Sequence, residues 1–137
     1  MCKSGSDVEK VNLIANFFKD VKTTNITFDS VIDKYLCLGS AKDRKKNREV
    51  LTELLSSLRA SLNKSADDFK NSIKPYTSLS NNEKNINMGS DDEKNCYYYT
   101  DGKGNKIFIL IQNGRIASFS VLRKGEGGQG VFLVFCG

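Results

Sequence analysis

The hexapeptide GEGGQG, residues 125–130, has the G-x-G-x-x-G spacing of loops that cradle phosphates, and it stands just before the apolar run VFLVF. A dinucleotide loop needs a strand before the glycines and a helix after them, because the helix N-terminus supplies the N–H groups that hold the pyrophosphate. Here the glycines lead instead into a β-branched and aromatic run. A kinase glycine loop does lie between two strands, but it works with a downstream lysine, a catalytic loop and a metal-binding aspartate, for which the seven residues after Gly130 leave no room. The loop is therefore expected to be a hairpin connection with Lys124 and Glu126 at its polar tip, a role as a mobile lip over a pocket being the alternative.

Other reactive groups are sparse. The chain has no histidine, and residues 106–122 contain no Asp or Glu that a strand could bury as a general base. Ser118 and Ser120 have no histidine to activate them. Tyr35, Tyr97 and Tyr99 offer hydroxyls, but a tyrosine without a base is more often a core residue whose tip reaches water. The four cysteines, Cys2, Cys37, Cys96 and Cys136, form no C-x-x-C pair. Neither a metal site nor a cofactor is expected from them. Cys37 and Cys136 read as small buried side chains, and a disulfide stays open because spacing does not reveal pairing.

The net charge of +5 is spread among carboxylates, with one dense basic run, KDRKKNR at 42–48. At a helix start such a run would meet N–H groups that already favour anions, although a solvated helix entry is the simpler reading. Nucleic acid is not expected as a partner, because the aromatic residues cluster in apolar strands and do not alternate with the basic ones.

With 137 residues, 39% of them hydrophobic, the chain has material for one core and one domain. Ser6 and Glu9 have the spacing of a capping box. Beyond them Val8, Val11, Ile14, Ala15, Phe18 and Val21 recur at helical steps. Thr27 is placed to cap a second helix striped by Phe28, Val31, Ile32, Tyr35 and Leu36, with Gly39 as its stop. A third helical pattern runs over 42–73, with a break near Asn63 and a cap at Ser65 as the alternative. Pro75 prevents simple continuation. Residues 76–93 read as a long excursion with one short strand near Ile86.

Four strands are expected after residue 94: CYYYT, KIFILIQ, RIASFSVL and VFLVF. Asn113-Gly114 is a type I′ hairpin signal. It sets Gln112 opposite Arg115, Ile111 opposite Ile116, Leu110 opposite Ala117, Ile109 opposite Ser118 and Phe108 opposite Phe119. One face then carries Phe108, Leu110, Ala117, Phe119 and Val121, and the other Ile107, Ile109, Ile111, Ile116, Ser118 and Ser120. Leaving large aliphatic side chains in water forgoes roughly 1.5–3 kcal/mol each, so both faces need cover. Helices are expected on the aromatic face, and a cavity, a flap of the excursion or another subunit on the other.

Three helical segments followed by an antiparallel meander, with FFKDVKTTNITFDSVIDKYL early and NGRIASFSVL late, resemble the nuclear transport factor 2-like superfamily. The resemblance covers nearly all of residues 8–135 and is one of element order and local texture. It implies an α+β fold in which a curved antiparallel sheet wraps a long helix, with a cavity between them and often a dimer through the outer sheet face. A cystatin-like sheet around one helix is the competing fold. Enzymes of the superfamily place a carboxylate, histidine or tyrosine in the cavity, and this chain departs from that pattern.

The start of the chain, MCKSGSD, looks like a mature bacterial lipoprotein, in which Cys2 would carry lipid and residues 1–6 would form a flexible tether to a single α+β domain over 7–137. An incidental cysteine near a frayed end is the alternative. The expected function is a non-enzymatic domain of the cell envelope that binds a small apolar ligand or a protein partner, with Tyr35, Tyr97, Tyr99, Phe108 and Phe119 lining the site. A structural protein forming a homodimer or a secretion-complex contact through Ile107, Ile109, Ile111, Ile116 and Ser118 is the second expectation, and an enzyme using a cavity tyrosine the third. Membrane contact is expected only through lipid on Cys2.

Overall fold

The computed structural model of the chain describes residues 2–39, 42–63, 69–101, 103–123 and 130–134, with residues 2–7 and 123 represented by backbone alone. Three helices come first, α1 (Cys2–Lys22), α2 (Phe28–Tyr35) and α3 (Arg44–Leu62), followed by the single turn α4 (Phe69–Ser72). A short strand β1 (Ile73–Pro75), a 3-10 turn (Tyr76–Ser78) and the small helix α5 (Ser90–Lys94) lead to β2 (Cys96–Thr100), β3 (Lys106–Gln112), β4 (Arg115–Ser118), β5 (Val121–Arg123) and β6 (Gly130–Phe132). The first four strands form one antiparallel sheet in the order β1-β2-β3-β4, and β5 and β6 pair separately. The fold class is α+β, with helices packed on an antiparallel sheet.

Local sequence accounts for most element ends. Thr27 Oγ1 accepts from the Ser30 N–H at 3.2 Å, capping α2 as expected. The α2 helix ends four residues ahead of Gly39, because Leu36 is drawn into a bridge with Ile116 of β4. Asn63 closes α3, so the long helical pattern breaks there, while the Ser65 cap lies outside the described residues. The N-terminus differs from expectation. The α1 helix starts ahead of Ser6 and takes in residues 2–6, where no proline opposes a helical turn, so neither the capping box nor the tether marks a boundary there. Pro75 sits at the end of β1, on the sheet edge where a missing N–H is tolerated.

The hairpin turn has φ of 54° at Asn113 and 76° at Gly114, the left-handed pair that a type I′ turn requires. Gln112 faces Arg115 and Ile111 faces Ile116, as the turn dictates. Beyond them the register differs from expectation: a bulge makes Leu110 face Ser118 instead of Ala117. The cause is local. Ser118 Oγ donates to the Ser120 carbonyl at 3.1 Å and accepts from the Ser120 N–H at 3.3 Å, folding the strand on itself where ladder bonds would continue. The single strand expected over 115–122 is thus two, β4 and β5, and Phe119 is turned to the opposite face from Phe108.

The assignment of layers to faces is also the reverse of that expected. The helices cover the face of Tyr97, Tyr99, Ile109, Ile111 and Ile116 with Ile14, Phe17, Phe18 and Val21 of α1, Val31, Ile32 and Tyr35 of α2, and a leucine stripe of α3. The face carrying Cys96, Phe108, Leu110 and Ala117 is closed by Tyr76, Leu79 and Ile86 of the excursion and by Phe132. The excursion is held by Gly130, whose N–H donates to Asn85 O and whose carbonyl accepts from Asn87 N–H, both at 2.7 Å. Side-chain size explains the reversal: three aromatic rings, Phe18, Phe69 and Tyr99, meet edge-on at 5.4–5.5 Å in the helix layer and fill it.

Two arginines close helix C-termini, where carbonyls lack helical partners. Arg59 of α3 donates from Nε to Val21 O at 2.6 Å and from a terminal nitrogen to Thr23 O at 3.3 Å, while its guanidinium lies 4.2 Å over the Phe28 ring. Arg115 of β4 donates to Leu36 O at 3.2 and 3.1 Å and to Asp33 O at 2.6 Å. Replacing Arg59 with methionine keeps the apolar stem and removes the donors, and is expected to lower unfolding stability by about 1.5–3 kcal/mol in urea titration. An unchanged midpoint would show that the α1 terminus is satisfied by water as readily as by Arg59.

Candidate functional site

The five residues expected to line a binding site divide between two layers. Tyr97 and Tyr99 are buried in the helix-side core, and Tyr99 packs edge-on against Phe18. Tyr35 is buried too; its ring meets Phe17 at 5.6 Å and its hydroxyl donates to Asp20 Oδ2 at 2.6 Å. Burial first, and then the hydrogen bond to the Asp20 carboxylate, push the Tyr35 hydroxyl well above its ordinary pKa. It is a fixed donor tying α2 to α1. Phe119 joins the same layer, with its ring 5.5 Å from Phe17, whereas Phe108 points to the other face, against Tyr76 and Tyr98.

Phe108 and Phe119 nevertheless meet at one place. A cleft of about 310 Å³ lies between α3 and the sheet, lined by Leu54, Ser57, Leu58 and Ser61 of α3, by Lys106, Ile107 and Phe108 of β3, and by Phe119, Ser120 and Val121 where the chain passes from β4 to β5. Its origin is the break at Ser118. Strand β4 pairs with β3 only over Leu110, Ile111 and Gln112, so the first half of β3 has no strand beside it on that edge among the described residues. The walls are apolar. Ser57 and Ser61, one helical turn apart, and Lys106 add polar residues to the lining, and the Lys106 ammonium reaches Glu83 at 3.4 Å. Cleft size and the mixture of apolar wall and few polar groups are those of small-ligand sites.

A larger cleft, about 650 Å³, lies between α1 and the hairpin tip, lined by Glu9, Lys10, Leu13, Asn95 and residues 111–114. Two of its polar residues are tied to each other, Lys10 Nζ donating to Asn95 Oδ1 at 2.6 Å, and Gln112 donates to Asp92 outside the lining at 3.4 Å. None of the residues expected to bind ligand lines it, and of those expected at an interface only Ile111 does. Size alone therefore does not make it the better site. Tyr35 and Asp20 line neither cleft.

The expected subunit interface is corrected by burial. Ile109 and Ile116 are fully buried, Ile111 nearly so, and Ile107 packs against the same core, which α1, α2 and α3 of the chain itself already cover; Ser118 is buried as well. Exposed apolar surface occurs elsewhere. Leu122 and Val131, directly opposite each other in the β5–β6 pair, are 57% and 51% exposed.

The remaining expected features sort as follows. Residues 124–129, including Lys124 and Glu126, lie outside the described residues, and the strands that flank them pair antiparallel, with Arg123 facing Gly130. The described residues that follow the glycines begin with a strand, Gly130–Phe132, where a phosphate loop of the dinucleotide type would lead into a helix. The basic run opens α3, where Arg48 pairs with Asp29 at 3.0 Å and Asp33 at 2.9 Å, both on α2. Among the described residues no group of three or more His, Cys, Asp or Glu is placed to hold a metal ion, and no helix is long and apolar enough to cross a membrane. Cys96 is a buried free thiol whose pKa is pushed up to about 12 by burial, with Glu93 and Asp92 adding to it, so it stays protonated. Cys37 is disulfide-bonded. With Cys96 free, the cysteines left to pair with it are Cys2 and Cys136, whose side chains lie outside the described residues.

Of the residues expected to bind ligand, Phe108 and Phe119 line the cleft between α3 and the sheet, and its α3 wall was not anticipated. The signal was present, since Ser57 and Ser61 are four apart beside Leu54 and Leu58 on a helix. Ile109→Ala is expected to lower stability by about 2–5 kcal/mol through the cavity it leaves, with no change in the mass measured by light scattering. A change of oligomeric state with stability intact would restore Ile109 to an interface. No protein-family model, curated protein or solved structure matches this chain.

Proposed function

We propose that this chain is a non-enzymatic binding domain of the cell envelope, of nuclear transport factor 2-like type, whose ligand occupies the cleft between α3 and β3. The observation that carries the reading is the cleft itself: two phenylalanines from different sheet faces, two leucines, an isoleucine and a valine line it together with three serines and one lysine. Apolar contact there supplies affinity, and the few polar groups orient what binds. Against catalysis by Tyr35 stand the direction of its shift, which keeps the hydroxyl protonated and so unable to act as a base, and its absence from the lining of both clefts. The α+β layering agrees with the superfamily at the level of helices on an antiparallel sheet.

An anilinonaphthalene sulfonate probe tests the cleft. Its fluorescence is expected to rise on the native protein and to fall back at least roughly tenfold in apparent affinity with Ser61→Trp, which fills the cleft from a half-buried helix position. Equal binding by the two proteins sinks the assignment.

The envelope reading draws on the disulfide at Cys37, since such bonds persist where thiols are not kept reduced. Lipid on Cys2 would occupy that sulfur, leaving Cys136 as the partner of Cys37. Non-reducing peptide mapping of the native protein is expected to return Cys37 joined to Cys136 and Cys96 unalkylated until the chain is unfolded. A Cys37–Cys2 peptide removes the lipid reading. A second reading, assembly through a surface patch, is favoured by the exposed Leu122–Val131 pair. Light scattering that finds only monomer removes it.

A further inference from the structure

The open edge of β3 gives the cleft a directional chemistry that a merely apolar pocket lacks. In an antiparallel ladder the N–H and C=O of one residue point to the same side, and successive residues alternate. The Ile111 N–H donates to Asn95 O at 3.0 Å, and Asp101 N–H donates to Asn105 O at 2.8 Å, so the odd-numbered residues of β3 turn their main-chain groups toward β2. The even-numbered ones turn away. Leu110 and Gln112 meet β4, but Lys106 and Phe108 come before that pairing begins and direct their N–H and C=O into the cleft. Val121, on the far wall, is placed likewise: Leu133 N–H donates to Ser120 O at 3.0 Å, which turns Ser120 and Leu122 toward β6 and Val121 away from it.

We propose that the occupant of this cleft is an extended peptide segment of a partner protein, added as a strand to the free edge of β3 and carrying an acidic group at the Lys106 end. The proposal rests on the reading of this cleft as the binding site and names its partner class. Three features point to a peptide. Main-chain donors and acceptors two residues apart along β3 match the repeat of a paired strand. Alternate side chains of that strand would face Leu54 and Leu58 of α3 on one side and Val121 on the other. Among the described residues the one charged residue in the lining is Lys106, and its present partner, Glu83, is half exposed and so holds its ammonium weakly. Edge strands are ordinarily blocked or blunted. Here α3 screens the edge from bulk association yet leaves about 310 Å³ beside it, enough for a short extended segment.

Amide hydrogen exchange on the intact, oxidised chain tests the edge without any ligand. The Lys106 and Phe108 amides are expected to exchange roughly a hundredfold faster than those of Ile107 and Ile109; equal protection means the edge is closed and overturns the proposal. Selection from a displayed random heptapeptide library on the same protein is expected to return sequences that alternate apolar residues and end on an acidic one. Such a peptide should slow exchange at Phe108, and methylating the peptide nitrogen that faces the Phe108 carbonyl should weaken binding roughly tenfold. Failure to select any peptide, or selected peptides that leave the Phe108 amide unprotected, overturns the proposal. The naphthalene probe separates the two readings: probe binding that Ser61→Trp abolishes, with no peptide selected, leaves an apolar-ligand cleft and removes the peptide, whereas loss of both removes the site.

Discussion

Strand β3 is apolar on both faces, and that single constraint organises the rest of the chain. Ile107, Ile109 and Ile111 look one way, Phe108 and Leu110 the other, and each large side chain left in water would forgo roughly 1.5–3 kcal/mol. A strand of this kind needs layers above and below it. The helices supply the first, with α1 packing two adjacent phenylalanines, Phe17 and Phe18, onto the sheet. The second, among the described residues, is assembled from the excursion and β6. Tyr76 ties that layer together: its ring meets Phe108 and its hydroxyl accepts from the Ile86 N–H at 3.3 Å. The long excursion is thus part of the core.

Once three helices are committed to one face, their ends are crowded against the sheet and must be satisfied by protein groups. The two arginine contacts answer this need in the same way. Arg59 reaches from α3 to the end of α1 and stacks on Phe28 at the start of α2, while Arg115 reaches from the hairpin to the end of α2. A guanidinium suits both places because its fork serves two carbonyls at once and its charge opposes the negative end of the helix. The helix layer and the sheet are therefore coupled through polar contacts at the periphery as well as through apolar contacts inside.

What could be read from the sequence follows from the range over which each signal acts. The Thr27 cap, the Asn113-Gly114 turn, the break near Asn63 and the strands β2 and β3 depend on residues a few positions apart, and all appear where local chemistry places them. Alternation told which residues of β3 share a face, and that both faces need cover, but it carries no information on which layer covers which. The exchange of faces had that origin, and with it the loss of Ile109 and Ile116 as interface residues. β1 was invisible because three residues ending in proline carry no period. The arginine contacts were invisible because long side chains acting across distant segments leave no spacing to find. The site was half legible: Phe108 and Phe119 belong to its wall, whereas Tyr97 and Tyr99 are core.

The resemblance implied a cavity between the long helix and the sheet, and the packing explains why free space lies elsewhere. Rings of Phe17, Tyr35 and Phe119 on one side of α1, and of Phe18, Phe69 and Tyr99 on the other, occupy that interval at centroid separations of 5.4–5.6 Å. The cleft beside α3 lies where strand pairing stops. The stop is set by Ser118, whose hydroxyl takes both main-chain groups of Ser120 and so ends the β3–β4 ladder after Leu110. One consequence is that Phe119 rotates into the helix layer and helps to fill the expected cavity; the other is that the edge of β3 is left open beside α3. The closed interior and the open cleft have the same cause, so a residue that let the ladder continue at position 118 would be expected to draw Phe119 out of the core and close the cleft in one step.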